Sequence, residues 1–273
     1  MLHKVSSVIL LSGLLVVSAG GCQGERTEEP AASSGALVGS NGLFANGLFA
    51  NGLFANGLFA NGLFANGLFA NGLALDASGT MAATAADAVR DPAVRPLFSY
   101  IVSCALPEGQ ALSLTVDGQP LTFPGSVGVA PEWLTGTCDD SCQRWVTSCV
   151  IARVNHLGEH VEISMRGVSR ALAVGPREVQ QFNVREAAYF GNFFKPVPEV
   201  HACLPDGARG IARVCGPSLE GCPIEVVGRC EDVCAGTGAW SSFRDCAAVP
   251  VARPGSRDVR DVFPQTITVF LKP

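Results

Sequence analysis

Residues 137–155, TCDDSCQRWVTSCVIARVN, decide the fold class. Apolar residues recur at Cys142, Trp145, Val146, Cys149 and Val150. That is the i, i+3, i+4, i+7, i+8 spacing that lays one buried stripe along a helix. Thr137 reads as an N-cap with Asp140 three residues on. Asp139, Gln143, Arg144, Thr147 and Ser148 fall off the stripe, with Asp140 and Arg144 at ion-pair spacing. The segment predicts one principal amphipathic helix over about 137–155. Seven residues put Cys142 and Cys149 about 10.5 Å apart along its axis, beyond the roughly 7 Å limit for a bridge. Each therefore needs a partner elsewhere in the chain.

The chain of 273 residues carries 11 cysteines. Ten lie beyond residue 95: Cys104, Cys138, Cys142, Cys149, Cys203, Cys215, Cys222, Cys230, Cys234 and Cys246. An even set in an exported chain reads as a disulfide framework, with about 945 pairings open to it. The segment Cys230-Glu-Asp-Val-Cys234 echoes Cys138-Asp-Asp-Ser-Cys142, each followed closely by a Trp. Its paired acids suit the first turn of a second, short helix at 230–235. Four thiolates in two such pairs also offer a zinc alternative.

The remaining pattern is that of strands. Residues 110–116 alternate apolar and polar, Asp117-Gly118 turns, and residues 120–123 return, which predicts a hairpin. Further strands are expected at 98–104, 161–165, 179–184, 224–227 and 267–271. The expected fold is α+β, mostly antiparallel sheet around the one principal helix, braced by disulfides.

Upstream of residue 95 the composition is different. His3 and Lys4 precede an apolar run, Val5 to Val17, and small residues then lead into Cys22. The run is too short for a membrane span and fits a cleaved export signal over residues 1–21. The Ser-Ala-Gly-Gly-Cys ending resembles a bacterial lipobox with Ala19 in place of the usual Leu. The resemblance implies cleavage before Cys22, lipid on its thiol and, with Gln23 following, sorting to the outer membrane. Acyl chains at about 0.8 kcal/mol per buried CH2 anchor a domain stably once two or more are present. Residues 22–40 read as a polar tether.

Residues 41–74 repeat Asn-Gly-Leu-Phe-Ala six times and begin a broken seventh copy. A period of five smears Leu and Phe around a helix, and on a strand it sends successive Leu residues to opposite faces. The order departs from that of the pentapeptide-repeat proteins it is similar to. A tether and a self-associating or lipid-lying apolar element are both open readings, and residues 75–94 continue it as a linker. A flexible 23–90 would reach about 45 Å. The folded domain is expected over 95–273.

Motifs for chemistry are few. Lys and Arg gather into no stripe and the net charge is −5, which argues against a nucleic-acid partner. There is no Gly-x-Ser-x-Gly, no Walker loop and no dinucleotide fingerprint, so no cofactor is expected. His156-Leu-Gly-Glu159-His160 matches the His-x-x-Glu-His zinc pattern. That chemistry needs a helix to project both imidazoles from one face, and Gly158 at a helix-to-strand junction favours a loop. Tyr189, Phe190, Phe193 and Phe194, with Phe182, form an aromatic set around Gly191-Asn192. It suits a core, or a stacking surface for a glycan flanking a Gly-Asn turn.

The lipobox, the Asn-Gly-Leu tract, Ala130-Pro-Glu-Trp, the cysteine helix, Ile163-Ser-Met-Arg-Gly and Tyr189-Phe-Gly-Asn together resemble a group of uncharacterised myxobacterial lipoproteins. The resemblance implies an address and no activity. The expected protein is an envelope module held to the outer membrane through lipid at Cys22, with a binding or structural role and an envelope protein or glycan as partner. The alternative is an extracytoplasmic hydrolase working through the histidine motif.

Overall fold

The computed structural model describes residues 85–86, 89–92, 94–155, 161–195, 197–208, 210–216, 219–220, 222–248 and 261–273. Helix α1 (Arg95–Ala105) opens on Pro96, whose fixed φ and missing N–H suit a first turn. Leu97 and Phe98 are followed four residues later by Ile101 and Val102, so two adjacent stripes are buried. This corrects the strand expected at 98–104. The β-branched and aromatic composition misled, and the i, i+4 spacing decided.

Strands β1 (Ala111–Val116) and β2 (Gln119–Pro124) form the expected hairpin, with Val116 opposite Gln119. Asp117 (φ 49°) and Gly118 (φ 78°) make its left-handed turn. A 3-10 turn at Pro131–Leu134 then buries Trp133 completely.

Helix α2 (Asp140–Arg153) is the expected principal helix. Its N-cap is Asp139 rather than Thr137, with the carboxylate accepting from the Cys142 N–H at 2.9 Å. Asp140 and Arg144 form the expected pair at 2.6 Å. Cys149 bonds to Cys104 and so clamps α2 to α1, whereas Cys142 bonds to Cys138, four residues back and outside the helix. Cys142 therefore finds its partner nearby, because the extended Asp139 folds the chain back at the cap.

Strand β3 (Ser164–Arg166) starts later than expected. The strand expected at 179–184 is instead helix α3 (Pro176–Gln181), started by Pro176 with Glu178 in its first turn. Strand β4 (Val184–Asn192) follows, then β5 (Glu199–Leu204), α4 (Ala212–Cys215), β6 (Glu225–Arg229) and α5 (Cys230–Val233). Short strands β7 (Gly236–Thr237), β8 (Phe243–Arg244), β9 (Cys246–Ala248) and β10 (Asp261–Phe263) lead to β11 (Ile267–Leu271).

The main sheet runs β3-β11-β4-β5-β6, antiparallel except for the β5–β6 pair. Helix α2 packs on it beside β4, where Thr147 Oγ1 accepts from the Phe193 N–H at 3.2 Å and Asn192 donates to Asp140 at 3.0 Å and Gln143 at 3.1 Å. Gly191, expected in a turn, lies in β4 with φ +148°. A Cβ there would collide with the Glu199 carbonyl oxygen of β5, so the close pairing requires glycine. The fold is α+β and mostly antiparallel. No helix among the described residues is long and apolar enough to cross a membrane.

Candidate functional site

The segment between Cys234 and Cys246 is the most distinctive surface feature among the described residues. A disulfide joins its two ends, and within it β7 and β8 pair as a small antiparallel ladder. Gly238-Ala-Trp-Ser-Ser242 crosses the tip. The Ser242 N–H donates to the Ala239 carbonyl at 3.2 Å and the Gly238 N–H to the Ser242 carbonyl at 2.7 Å. Inside that turn Trp240 (φ 57°) and Ser241 (φ 60°) both occupy the left-handed region. Mirror-image hairpin turns need this conformation, and Asn and Gly supply it without strain. A bulky Trp there is an outlier that the surrounding structure must hold in place.

Arg166 provides part of that hold. It is buried, donates to the Trp240 carbonyl at 3.3 Å, to Ser164 Oγ at 3.1 Å and to the Phe182 carbonyl, and stacks 3.7 Å from the centroid of Phe270. Beside it the Phe243 N–H donates to Thr268 Oγ1 at 2.7 Å, fixing β8 to β11. The backbone of the tip is thus pinned to the sheet while the indole stays 42% exposed. Thr237, Ser241 and Arg244 are exposed in the same hairpin. Trp240 is the one aromatic among the exposed large apolar residues described.

Beneath the hairpin lies a second, smaller apolar cluster of Ala188, Phe190, Phe243 and Phe263 with Cys203, Cys230 and Cys246. Two disulfides meet in it, Cys203–Cys230 and Cys234–Cys246, and Cys203 Sγ lies 3.6 Å from Cys234 Sγ. The sulfurs of Cys203, Cys234 and Cys246 are all within 4.8 Å of one another. The zinc alternative built on Cys138, Cys142, Cys230 and Cys234 is overturned by these pairings: Cys138 and Cys142 bond to each other, and Cys230 and Cys234 bond to different partners. The fifth bridge is Cys215–Cys222.

The other residues singled out in the sequence fall elsewhere. Tyr189, Phe190 and Phe193 are fully buried and Phe194 is 6% exposed, with Trp133 edge-on to Phe194 at 6.0 Å. Phe182 is buried as well. These rings belong to the core and offer no face on which a sugar could stack. Tyr189 donates to Glu186 at 3.2 Å, and burial, reinforced by that carboxylate, raises its pKa well above the ordinary phenol value. His156, Glu159, His160 and Cys22 lie outside the described residues.

A polar network at the end of β5 went unnoticed in the sequence. Lys195 bridges Glu199 (2.7 Å) and Asp261 (3.2 Å), Arg144 reaches Asp261 at 3.4 Å, and His201 Nδ1 lies 3.1 Å from a Glu225 oxygen. It ties β10 to α2 and β5. Trp240 was visible only as a Trp close behind Cys234. The signal that finds it is a Gly/Ser-rich stretch, Gly236-Thr-Gly-Ala-Trp-Ser-Ser242, enclosed by two cysteines with one large aromatic at its centre.

The GLTT repeat family matches residues 38–64 in six copies, overlapping the tract of Asn-Gly-Leu-Phe-Ala repeats. No curated protein and no solved structure matches the chain.

Proposed function

We propose that the chain is a lipid-anchored module of the bacterial envelope, held at the outer membrane through Cys22, and that its disulfide-braced unit binds an envelope glycan through the Trp240 turn. The observation that carries the binding reading is a half-exposed indole on a left-handed, pinned turn inside a disulfide-closed hairpin. An indole face stacks on the C–H face of a sugar ring, and its apolar area is desolvated on contact. A preformed turn loses little entropy on binding. Thr237, Ser241 and Arg244 add exposed hydroxyl and guanidinium donors to the same hairpin for sugar hydroxyls.

The test measures binding of the purified mature protein to peptidoglycan sacculi and to outer-membrane polysaccharide. Wild-type protein is expected to bind one of these glycans. Trp240→Ala is expected to weaken that binding at least tenfold, about 1.4 kcal/mol, without lowering the melting temperature. No binding to either glycan, or equal binding by the variant, overturns the reading.

A further inference from the structure

We propose that Cys203, Cys230, Cys234 and Cys246 form a thiol–disulfide exchange site in which the bond to Cys203 passes from Cys230 to Cys234 once the Cys234–Cys246 bridge is opened. Cys203 Sγ and Cys234 Sγ belong to different disulfides yet sit 3.6 Å apart, with no atom required to cross the gap. Exchange proceeds by attack of a thiolate on a disulfide sulfur, so this juxtaposition places attacker and target together. Cys203, Cys230 and Cys246 are buried among Phe190, Phe243 and Phe263, and Cys234 alone is half-buried. Cys234 is therefore the sulfur that an external thiol reaches first and the one whose thiolate is best solvated.

An exported dithiol of the thioredoxin type gives two electrons and two protons to the Cys234–Cys246 bridge, becoming a disulfide itself and leaving two thiols. Cys234, as thiolate, attacks Cys203 Sγ. The Cys203–Cys234 bond forms, the Cys203–Cys230 bond breaks, and Cys230 leaves with the electron pair and takes up a proton. The linkage has then moved from one end of α5 to the other, and Cys246 is free.

The consequence is local. The bridge from Cys234 to Cys246 closes a loop of sequence separation 12 that contains the Trp240 turn. Exchange transfers Cys234 to the sheet at β5 and leaves the far end of the hairpin unclipped. Reduction thus removes the covalent clip and loosens the Trp240 surface, leaving it held by the β7–β8 pairing and the hydrogen bonds made by Arg166 and Thr268. This last consequence rests on the glycan reading, and the exchange itself does not.

Cys246→Ser tests the exchange without any reductant, because it leaves Cys234 as a thiol beside an intact Cys203–Cys230 bridge. The oxidised variant is held at mildly alkaline pH, quenched in acid, alkylated and mapped by peptide mass spectrometry. Expected is a Cys203–Cys234 linked peptide with alkylated Cys230, absent from the wild type. Only the Cys203–Cys230 linkage with alkylated Cys234 overturns the proposal. If the variant does not fold, wild-type protein at limiting phosphine reductant serves instead. The first two-thiol product is then expected to carry label on Cys230 and Cys246, and label confined to Cys234 and Cys246 overturns the exchange. Sacculus binding before and after the same reduction reads the switch separately, so a failed glycan reading leaves the peptide map unaffected.

Discussion

His201 is a neutralisable side chain held where its charge is unwelcome. It is 7% exposed, with its ring centroid 5.8 Å from that of Phe190 and 5.9 Å from that of Phe263. Burial lowers its pKa from the ordinary 6.5, outweighing the Glu225 and Glu199 carboxylates that favour the imidazolium, and Lys195 adds to the lowering. The native state then binds this proton less readily than the unfolded chain does. Protonation therefore favours unfolding. The contribution of His201 to stability is complete above its unfolded pKa near 6.5 and is lost as pH falls through that value toward the lower folded one. Melting temperatures measured between about pH 7 and pH 5 should fall more steeply for the wild type than for His201→Gln. Parallel profiles for the two proteins would show that His201 does not titrate across folding. A histidine two residues before Cys203 gives no hint of this in the sequence, because the aromatic rings that bury it come from β4 and β10, distant in the chain.

At the scale of elements, α2 is tied at both ends by groups that sequence reading treated unequally. Its extent was legible from Asp140 and the apolar stripe, although the cap falls on Asp139 and not on Thr137. The tie at its far end was not, because the residue that holds it is Arg213 on the four-residue helix α4. That guanidinium is buried and donates to the Ala152 carbonyl at 2.9 Å and the Val154 carbonyl at 2.7 Å, the carbonyls left without partners where a helix stops. It also grips Glu186 of β4, donating from Nη2 at 2.7 Å and from Nε at 2.9 Å. Burial opposes the charge on Arg213, and Glu186 with Tyr189 offsets it enough to hold the pKa above the ordinary guanidinium value. Removing one partner leaves the other charge buried alone. Arg213→Met should cost roughly 3–5 kcal/mol in urea unfolding, and adding Glu186→Leu should recover most of it. Equal loss in single and double variants would mean that the pair acts only through packing. Elements whose signals were local, such as the β1–β2 hairpin with its Asp117-Gly118 turn, could be read directly. Helices α1 and α3 differ from the strands expected there, because β-branched and aromatic residues serve either geometry, and Pro96 and Pro176 are the signals that mark the helix starts.

Across the whole molecule the disulfides constrain a residue that lies outside the described part. The five bridges consume all ten cysteines from Cys104 to Cys246. None of those ten is left to pair with Cys22, the eleventh. The sequence supplied the even set but not its pairing, since bridges such as Cys104–Cys149 join segments 45 residues apart and are fixed by packing. With pairing inside the chain closed to it, Cys22 has three fates: a free thiol, a bridge to another chain, or covalent modification. The apolar run before it and the small residues at 18–21 favour modification by lipid. Metabolic labelling with a clickable palmitate analogue should mark the wild type and not Cys22→Ser. Intact mass spectrometry of the membrane fraction should then find a chain beginning at Cys22 with acyl mass on it. An unlabelled wild type, a different N-terminus, or a reducible dimer would assign Cys22 to another fate. The exchange among Cys203, Cys230, Cys234 and Cys246 conserves the number of thiols once the outer bridge has opened, so Cys22 must be scored in fully oxidised protein. One alkylatable thiol there would contradict lipidation, and none, together with the acyl mass, would establish it.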